Sequence, residues 1–522
     1  MEASDGENQQ VYTSTTTSEP QIVIEIEKSW VDSVKSRVNG SFVPKWRKER
    51  CSIFRVPDNL RTLHPEDYEP RVVSIGPYHH GKPHLEPMEM HKWRMVRRLV
   101  LRRPEEGVLE ECLRKVKALE DQARSCYSEV IDMKSNEFVE MMVLDGCFII
   151  GILLRVRSET IQRKNENPEA MTGEEEEEEE EKDDWVWKEQ KDEEEAEMGA
   201  MHSSIYLLDH VNHDLLKVEN QMPFFVVEAL FDLLVLQADD GPNATIYDLS
   251  MSLLKKFDPS DYNVYLNKPD KIHHLFHLYY ELLAPGARKP FPSAQWNLIV
   301  GGFLKLKKKI EVLLLHVHRA IPSYLRSKRR LKKQFVTSWL KSATELQEAG
   351  VRFVKKEDSS FLDLSFKGGV MAFPVLHIYE HTMVHFRNLI AFEQCYFYTK
   401  DHITFYAAFM DFLIDTPTDV KVLQKEGILK IGISSEKEVA QFFNNLNREV
   451  YFNNNHSYLK DLIVDVNRYC DSKTHRWRAV LARDYFNNPW AVISVVAAFI
   501  LLTLTLLQTF YTIYAYYHPP SP

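Results

Sequence analysis

The five residues His377-Ile378-Tyr379-Glu380-His381 form the sharpest chemical motif in this chain. They match H-x-x-E-H, an inverted form of a zinc-protease signature. On a helix, His377 and His381 would share a face as two metal ligands and leave Glu380 as general base. His385 extends that face by one further turn. Against this reading, the motif opens at a strand end just after Pro374, and no third ligand announces itself. The chain holds 20 histidines, so a chance five-residue match is unremarkable. The expectation is no metal centre, with His377 and His381 as the residues a metal would use.

The remaining chemistry-bearing residues point the same way. His79, His80, His84 and His91 lie in a stretch punctuated by Gly81, Pro83 and Pro87, with no carboxylate or cysteine at ligand spacing. His273, His274 and His277 read as helix-surface residues. Gly427–Gly432 has the glycine spacing of a P-loop, but Ile433 and Ser434 stand where the phosphate-binding lysine and hydroxyl belong. No G-x-G-x-x-G and no G-x-S-x-G is present. Six scattered cysteines, Cys51, Cys112, Cys126, Cys147, Cys395 and Cys470, form no C-x-x-C pair and no zinc spacing. No catalytic residue and no cofactor follow, and a non-enzyme is expected. Arg326–Lys333 (RSKRRLKK) is basic enough for nucleic acid, but anionic lipid, the acidic insert or plain solvent suits it better, so no nucleic-acid partner is expected.

The elements that would position these residues are mainly helical. Trp30, Val31, Val34 and Val38 suggest a short amphipathic helix after a polar arm. Cys51–Pro57 and Arg71–Tyr78 alternate enough for short strands. Met88–Val156 is helical, interrupted near Arg103–Gly107. Leu215–Leu236 reads as two helical stretches broken by Pro223, with Asn220 placed to cap the second. Gln334–Ala349 is helical, and then the period changes to two. VRFVKK, FLDLSF and VMAFPVLHI surround a Lys367-Gly368-Gly369 turn, which predicts a β-hairpin with a third strand beside it and Pro374 at an edge. Helix returns over His377–Ile414, and Ser435 with Glu438 forms a capping box before Val439, Phe442, Phe443 and Leu446. The fold class is mainly α (α+β), a helical domain with a small antiparallel β-sheet and one C-terminal transmembrane helix.

Charge and hydropathy divide the chain. Between Glu159 and Gly199 there are 19 acidic and five basic residues, a net −14 against −11 for the whole chain, which leaves +3 for the rest. Glu174–Glu181 is eight consecutive carboxylates, which repel one another and read as a solvated insert. Trp490–Tyr517 contains no charged residue, and about 20 apolar residues suffice to cross a hydrocarbon core of about 30 Å. Trp490 at one end and Tyr517 at the other, with Phe499 and Leu506 between, give the expected anchor and its aromatic belts. Lys473, Arg476, Arg478 and Arg483 precede the span, so the body belongs in the cytosol. The bilayer is thus one expected partner and an unknown protein the other. The location is a single-pass membrane, plasma membrane ahead of endoplasmic reticulum. The predicted organisation is residues 1–45 as an N-terminal arm, 46–160 and 201–486 as two parts of one domain, 161–200 as the insert and 487–518 as the anchor.

Several runs carry a family resemblance: CSIFRVPDNLRTLHPEDYEPRVVSIGPYHHG (Cys51–Gly81), MEMHKWR (Met88–Arg94), KVENQMPFFVVEALF (Lys217–Phe231), TELQEAGVRF (Thr344–Phe353) and FRNLIAFEQC (Phe386–Cys395). Together they resemble the plant-specific domain-of-unknown-function 247 family. That resemblance implies no established activity, cofactor or catalytic residue, and a C-terminal helix associated with membranes. Some grass members are implicated in pollen–stigma self-incompatibility, which implies recognition rather than catalysis. The expected function is a non-enzymatic, membrane-anchored recognition or signalling protein. The alternatives are a metal-dependent hydrolase on His377, Glu380 and His381, and a cell-surface protein whose sequons begin at Asn39, Asn243 and Asn455.

Overall fold

The long run from Met141 to Leu154 has Asp145 as its one charged residue, which is the pattern of a helix surrounded by protein. In the computed structural model it forms α5 (Ser135–Glu166), at the centre of the N-terminal half. The structure describes residues 27–39, 51–103, 106–166, 205–236, 244–260, 268–269, 271–284, 340–357, 359–432, 435–451, 457–472 and 489–517. The acidic run Glu174–Glu181, the basic run Arg326–Lys333 and the sequon residues Asn243 and Asn455 lie outside them.

Before α5 come α1 (Lys28–Asn39), α2 (Asp58–Arg61), α3 (Glu86–Leu101) and α4 (Val108–Arg124). After it come α6 (Ile205–Leu215), α7 (Phe224–Phe231), α8 (Ile246–Leu254) and α9 (Leu275–Leu283). Helices α3, α4, α7 and α8 all pack on α5. Two glycines set how closely they approach. A Cβ at Gly146 would collide with Leu230 of α7, and one at Gly151 with the Met95 side chain of α3. The break between α3 and α4 falls where the sequence places it, with Gly107 in the left-handed region at φ 88°.

The C-terminal half contains α10 (Ala343–Glu348), α11 (Glu380–Cys395), α12 (His402–Leu413), α13 (Pro417–Lys425), α14 (Glu436–Leu446) and α15 (Lys460–Cys470). Ser342 and Glu345 close a capping box on α10, and Ser435 Oγ accepts from the Glu438 amide at the start of α14. Val439, Phe442, Phe443 and Leu446 face inward as the period predicts. One hydrophobic cluster runs through both halves, from Ile53 to Cys470.

The expected antiparallel sheet is a mixed one. Strands β1 (Arg352–Lys356), β2 (Ser365–Lys367) and β3 (Val370–Pro374) lie in the order β1-β3-β2, with β2 and β3 antiparallel and β1 parallel to β3. Pro374 ends the central strand, opposite Lys356, rather than lying on an edge. A parallel pair, β4 (Leu376–Ile378) with β5 (Leu429–Ile431), forms a second sheet. The hairpin turn itself stands where expected: Gly368 and Gly369 have φ 62° and 85°.

Two further expectations are corrected. Cys51–Pro57 and Arg71–Tyr78 are not ladder strands; a single bridge joins Ile53 to Tyr127, and Arg71–Tyr78 is broken by bends and a turn around left-handed Gly76. Their backbone is held by side chains instead. The expected C-terminal transmembrane helix is also not upheld, and with it falls the single-pass membrane location. Among the described residues no helix is long and apolar enough to cross a membrane. The last helix, α16 (Pro489–Tyr517), does contain Trp490, Phe499, Leu506 and Tyr517.

Candidate functional site

The Glu219-Asn220-Gln221 tripeptide between α6 and α7 is completely buried, at 0%, 0% and 2% exposure. Burial of three polar side chains in a row costs free energy unless each is paired. Each one is paired, to a different piece of distant chain. Glu219 accepts from the Val56 amide at 2.6 Å and from Arg61, with Arg55 at 3.7 Å. Burial alone would raise its carboxyl; His79, Val56 and Arg61 together hold it below the usual range. Asn220 accepts from Ile75 and donates to the Val73 and Asp214 carbonyls. It does not cap α7, whose N-terminal residue is Pro223 without a side-chain cap. Gln221 accepts from the Phe276 amide and donates to the Leu215 and Lys217 carbonyls.

The neighbours repeat the device. Asp214 accepts from the Arg71, Val72 and Val73 amides at 2.6–3.0 Å, which explains how 71–73 is held without a strand partner. Lys92 lies 2.6 Å from Asp145 and 2.7 Å from Glu89, while Asp145 also takes the Gly76 amide at 2.7 Å. Burial opposes the Lys92 charge, yet the Asp145 and Glu89 carboxylates outweigh it and hold the ammonium above its usual pKa. These groups are spent on holding backbone.

His79 belongs to the same hub. It is fully buried, with Nε2 3.3 Å from Glu219 Oε2 at an ion-pair distance but without hydrogen-bond alignment. Burial pushes its pKa down. His273, His274 and His277 are not the helix-surface residues the sequence suggests. His274 and His277 are buried, and His274 caps α9 by accepting from the His277 amide at 3.1 Å. Burial pushes His277 down to about 3 and His273 to about 4.

The H-x-x-E-H motif does not lie on one helix. His377 is in β4, and α11 starts only at Glu380. What gathers around His381 is a different set. His213 of α6 stacks on His381, with ring centroids 4.8 Å apart at 27°. Its Nδ1 lies 3.2 Å from Nε2 of His385, a side chain only 3% exposed. Burial pushes His213 to about 4 and His385 well below its usual value. Neutral imidazoles are the state in which histidine binds a metal. Sequence reasoning missed His213 because 163 or more residues separate it from the motif and nothing local marks it. Among the described residues, the three ligand-type side chains whose donor atoms converge are His64, Glu66 and Asp67. Arg387 already engages the Asp67 carboxylate, and a guanidinium there repels a cation.

A shallow groove opens beside this group, lined by Leu60, Tyr68, Arg387, Ile390, Leu446 and Val450 among others. Continuing along α11, the surface becomes aromatic. Phe397, Tyr398 and Tyr451 are 92%, 65% and 80% exposed. The Tyr451 amide donates to Gln394 Oε1 at 3.0 Å, which fixes it beside the end of α11.

The described residues form a mainly helical body with an internal polar hub. The family model DUF247, plant protein of unknown function, matches residues 53–504, and the chain belongs to that family. Two proteins of Arabidopsis thaliana are similar. UPF0481 protein At3g47200 is 30% identical over 475 residues, covering 90% of this chain and 87% of its own. A second UPF0481 protein, At3g02645, is 25% identical over 553 residues, covering 94% and 95%. No solved structure matches the chain.

Proposed function

We propose that this plant protein works by recognising another protein, without catalysis. The observation that carries the reading is the exposure of three aromatic rings near the C-terminal end of α11: Phe397 and Tyr398 follow the helix, and Tyr451, next to groove-lining Val450, is hydrogen-bonded to Gln394. Water is a poor solvent for such rings, and aromatic residues beside arginine are the side chains that most often anchor protein interfaces. Arg448 borders the groove, and Arg387 there already engages Asp67, so the partner combines apolar anchors with a carboxylate for Arg448. The buried titratable groups support a non-enzymatic reading as well, because the hub consumes them in holding backbone.

The test compares the proteins captured from extracts of expressing plant tissue by the wild-type chain and by a Phe397→Ala/Tyr451→Ala double variant. Both side chains face solvent, so the variant keeps the fold. A protein retained by the wild type and lost, at least tenfold, with the variant supports the reading. Identical capture by both sinks it.

A further inference from the structure

Helix α3 buries one side and leaves on the other a stripe that solvent alone does not account for. Met88, Met95, Val96 and Leu99 are buried against the body. Met90, Trp93, Arg94, Arg97 and Leu101 fall on the opposite side, at spacings that place all five on one face of the helix. Met90, Trp93 and Leu101 are exposed, and so is Arg97. Arg94 lies against Met90 Sδ at 3.9 Å, and among the described residues no carboxylate pairs with Arg94 or Arg97. Glu86, one turn before Met90, is the acid of this face and sits at the helix N-terminus, where the helix dipole favours it.

A segment of this chain outside the described residues has the complementary make-up. Glu174–Glu181, Asp183 and Asp184 lead into Trp185-Val186-Trp187, and Glu189 and Asp192–Glu195 follow. Sequences that stay in water carry few aromatic residues, because nothing in them buries a ring. Two tryptophans inside an acidic run are anchors for a surface, with carboxylates on both sides to meet arginine. The α3 face offers both halves of that match, Met90, Trp93 and Leu101 for the rings and Arg94 and Arg97 for the carboxylates.

Reach agrees with composition. Lys92 meets Asp145, and Met95 lies against Gly151, so α3 and α5 run in the same sense. Trp93 is therefore level with about residue 147, and the stretch from there to the end of α5 at Glu166 is about 28 Å of helix. Trp185 follows Glu166 by 185 − 166 = 19 residues. A flexible chain of that length has a typical end-to-end distance of about 24 Å and a limit of about 60 Å. Such a tether keeps its segment near the helix at about millimolar effective concentration, so a contact too weak to survive between separate molecules persists within one.

We propose that the acidic, tryptophan-bearing segment around Trp185–Trp187 is the ligand of the α3 face. Its rings pack on Met90, Trp93 and Leu101, and its carboxylates pair with Arg94 and Arg97. The contact is made within one chain and stands apart from the exposed rings at the end of α11, so either can fail alone.

The test cuts the full chain with trypsin after Lys191 and compares the rate with that of a synthetic peptide of residues 180–200 carrying the same substitutions. In low salt the wild-type chain should be cut at least about tenfold more slowly than its peptide, because cleavage follows the released fraction. Salt at about 0.5 M should remove most of that protection. Arg94→Glu/Arg97→Glu should abolish it, with an unfolding temperature near wild type. Trp185→Ser/Trp187→Ser leaves every described contact in place and should abolish it as well. Equal rates for the wild-type chain and its peptide overturn the proposal. So does protection that survives either variant, protection lost instead on neutralising Arg326–Lys333, or protection that grows with protein concentration, the mark of a second copy.

Discussion

Removing one member of the Lys92–Asp145 pair should cost far more than removing both. Lys92 is 0% exposed and Asp145 side-chain exposure is 1%, so neither charge has water to fall back on. Lys92→Met strands a carboxylate that accepts only the Gly76 amide. Asp145→Asn strands an ammonium with Glu89, which is 27% exposed, and Ser74 Oγ at 3.2 Å. Breaking a buried pair from one side costs about 3–5 kcal/mol, whereas replacing both charges by neutral groups of similar size is close to neutral. Each single variant should therefore lose about 3 kcal/mol. The double variant keeps an acceptor for Gly76 and should lose no more than about 1 kcal/mol. The coupling, about 5 kcal/mol, is read from urea unfolding of the four proteins followed by tryptophan fluorescence. Additive losses, with the double variant near 6 kcal/mol, would show that the pair does not interact as its geometry states. Single losses under about 1 kcal/mol would show that the site is wet.

Two further expectations follow from the same interior. Gly76 has φ 72°, and a Cβ there would collide with the Gln221 carbonyl and approach Tyr127 Oη to 2.9 Å, whereas Gly81 at φ 76° has open space around it. Gly76→Ala should cost at least about 3 kcal/mol and Gly81→Ala about 1 kcal/mol, the left-handed penalty alone; equal losses in urea unfolding would refute the close approach. Stability should also fall as pH drops from about 6.5 toward 4. Burial depresses His213, His273, His274, His277 and His385 in the folded chain, so the unfolded chain takes up their protons first and gains from acid. Glu393 works the other way, because burial raises it to about 7 and its folded form keeps a proton that the unfolded form has lost. Burial raises Asp145, Asp214, Glu228, Glu281 and Asp411 in the same sense as Glu393, but it also depresses His79, His91, His381 and His402. Nine depressed histidines outweigh six raised carboxyls, so the unfolding temperature at pH 5 should lie below that at pH 7.5; an equal or higher value would refute the sign.

The helices were legible because their information is local. Val439, Phe442, Phe443 and Leu446 announce α14 by spacing alone, and Gly107 announces the break before α4. The sheet was half legible for the same reason. Gly368 and Gly369 dictate the β2–β3 hairpin, but nothing in VRFVKK states whether that strand joins the hairpin parallel or antiparallel. Direction is decided by where the chain returns, and no short window contains that.

The hub and the histidine group were illegible on stricter grounds. The alternation in Arg71–Tyr78 looks like a strand, yet its amides go to Asp214, Asn220 and Asp145 instead of a ladder. Partners lying 69–145 residues away leave no periodic trace. Asn220 misled for a related reason: in its own neighbourhood a helix cap is the cheapest use of its amide, and only the arrival of Val73 and Ile75 makes another use better. His213 differs again. A histidine inside IYLLDHVNHDL reads as a polar spot on an amphipathic helix. Its Nδ1 acquires a partner only once α11 brings His385 Nε2 to 3.2 Å. Local propensity can specify helices, but a contact between side chains 172 residues apart is settled by packing, so it becomes visible only after folding.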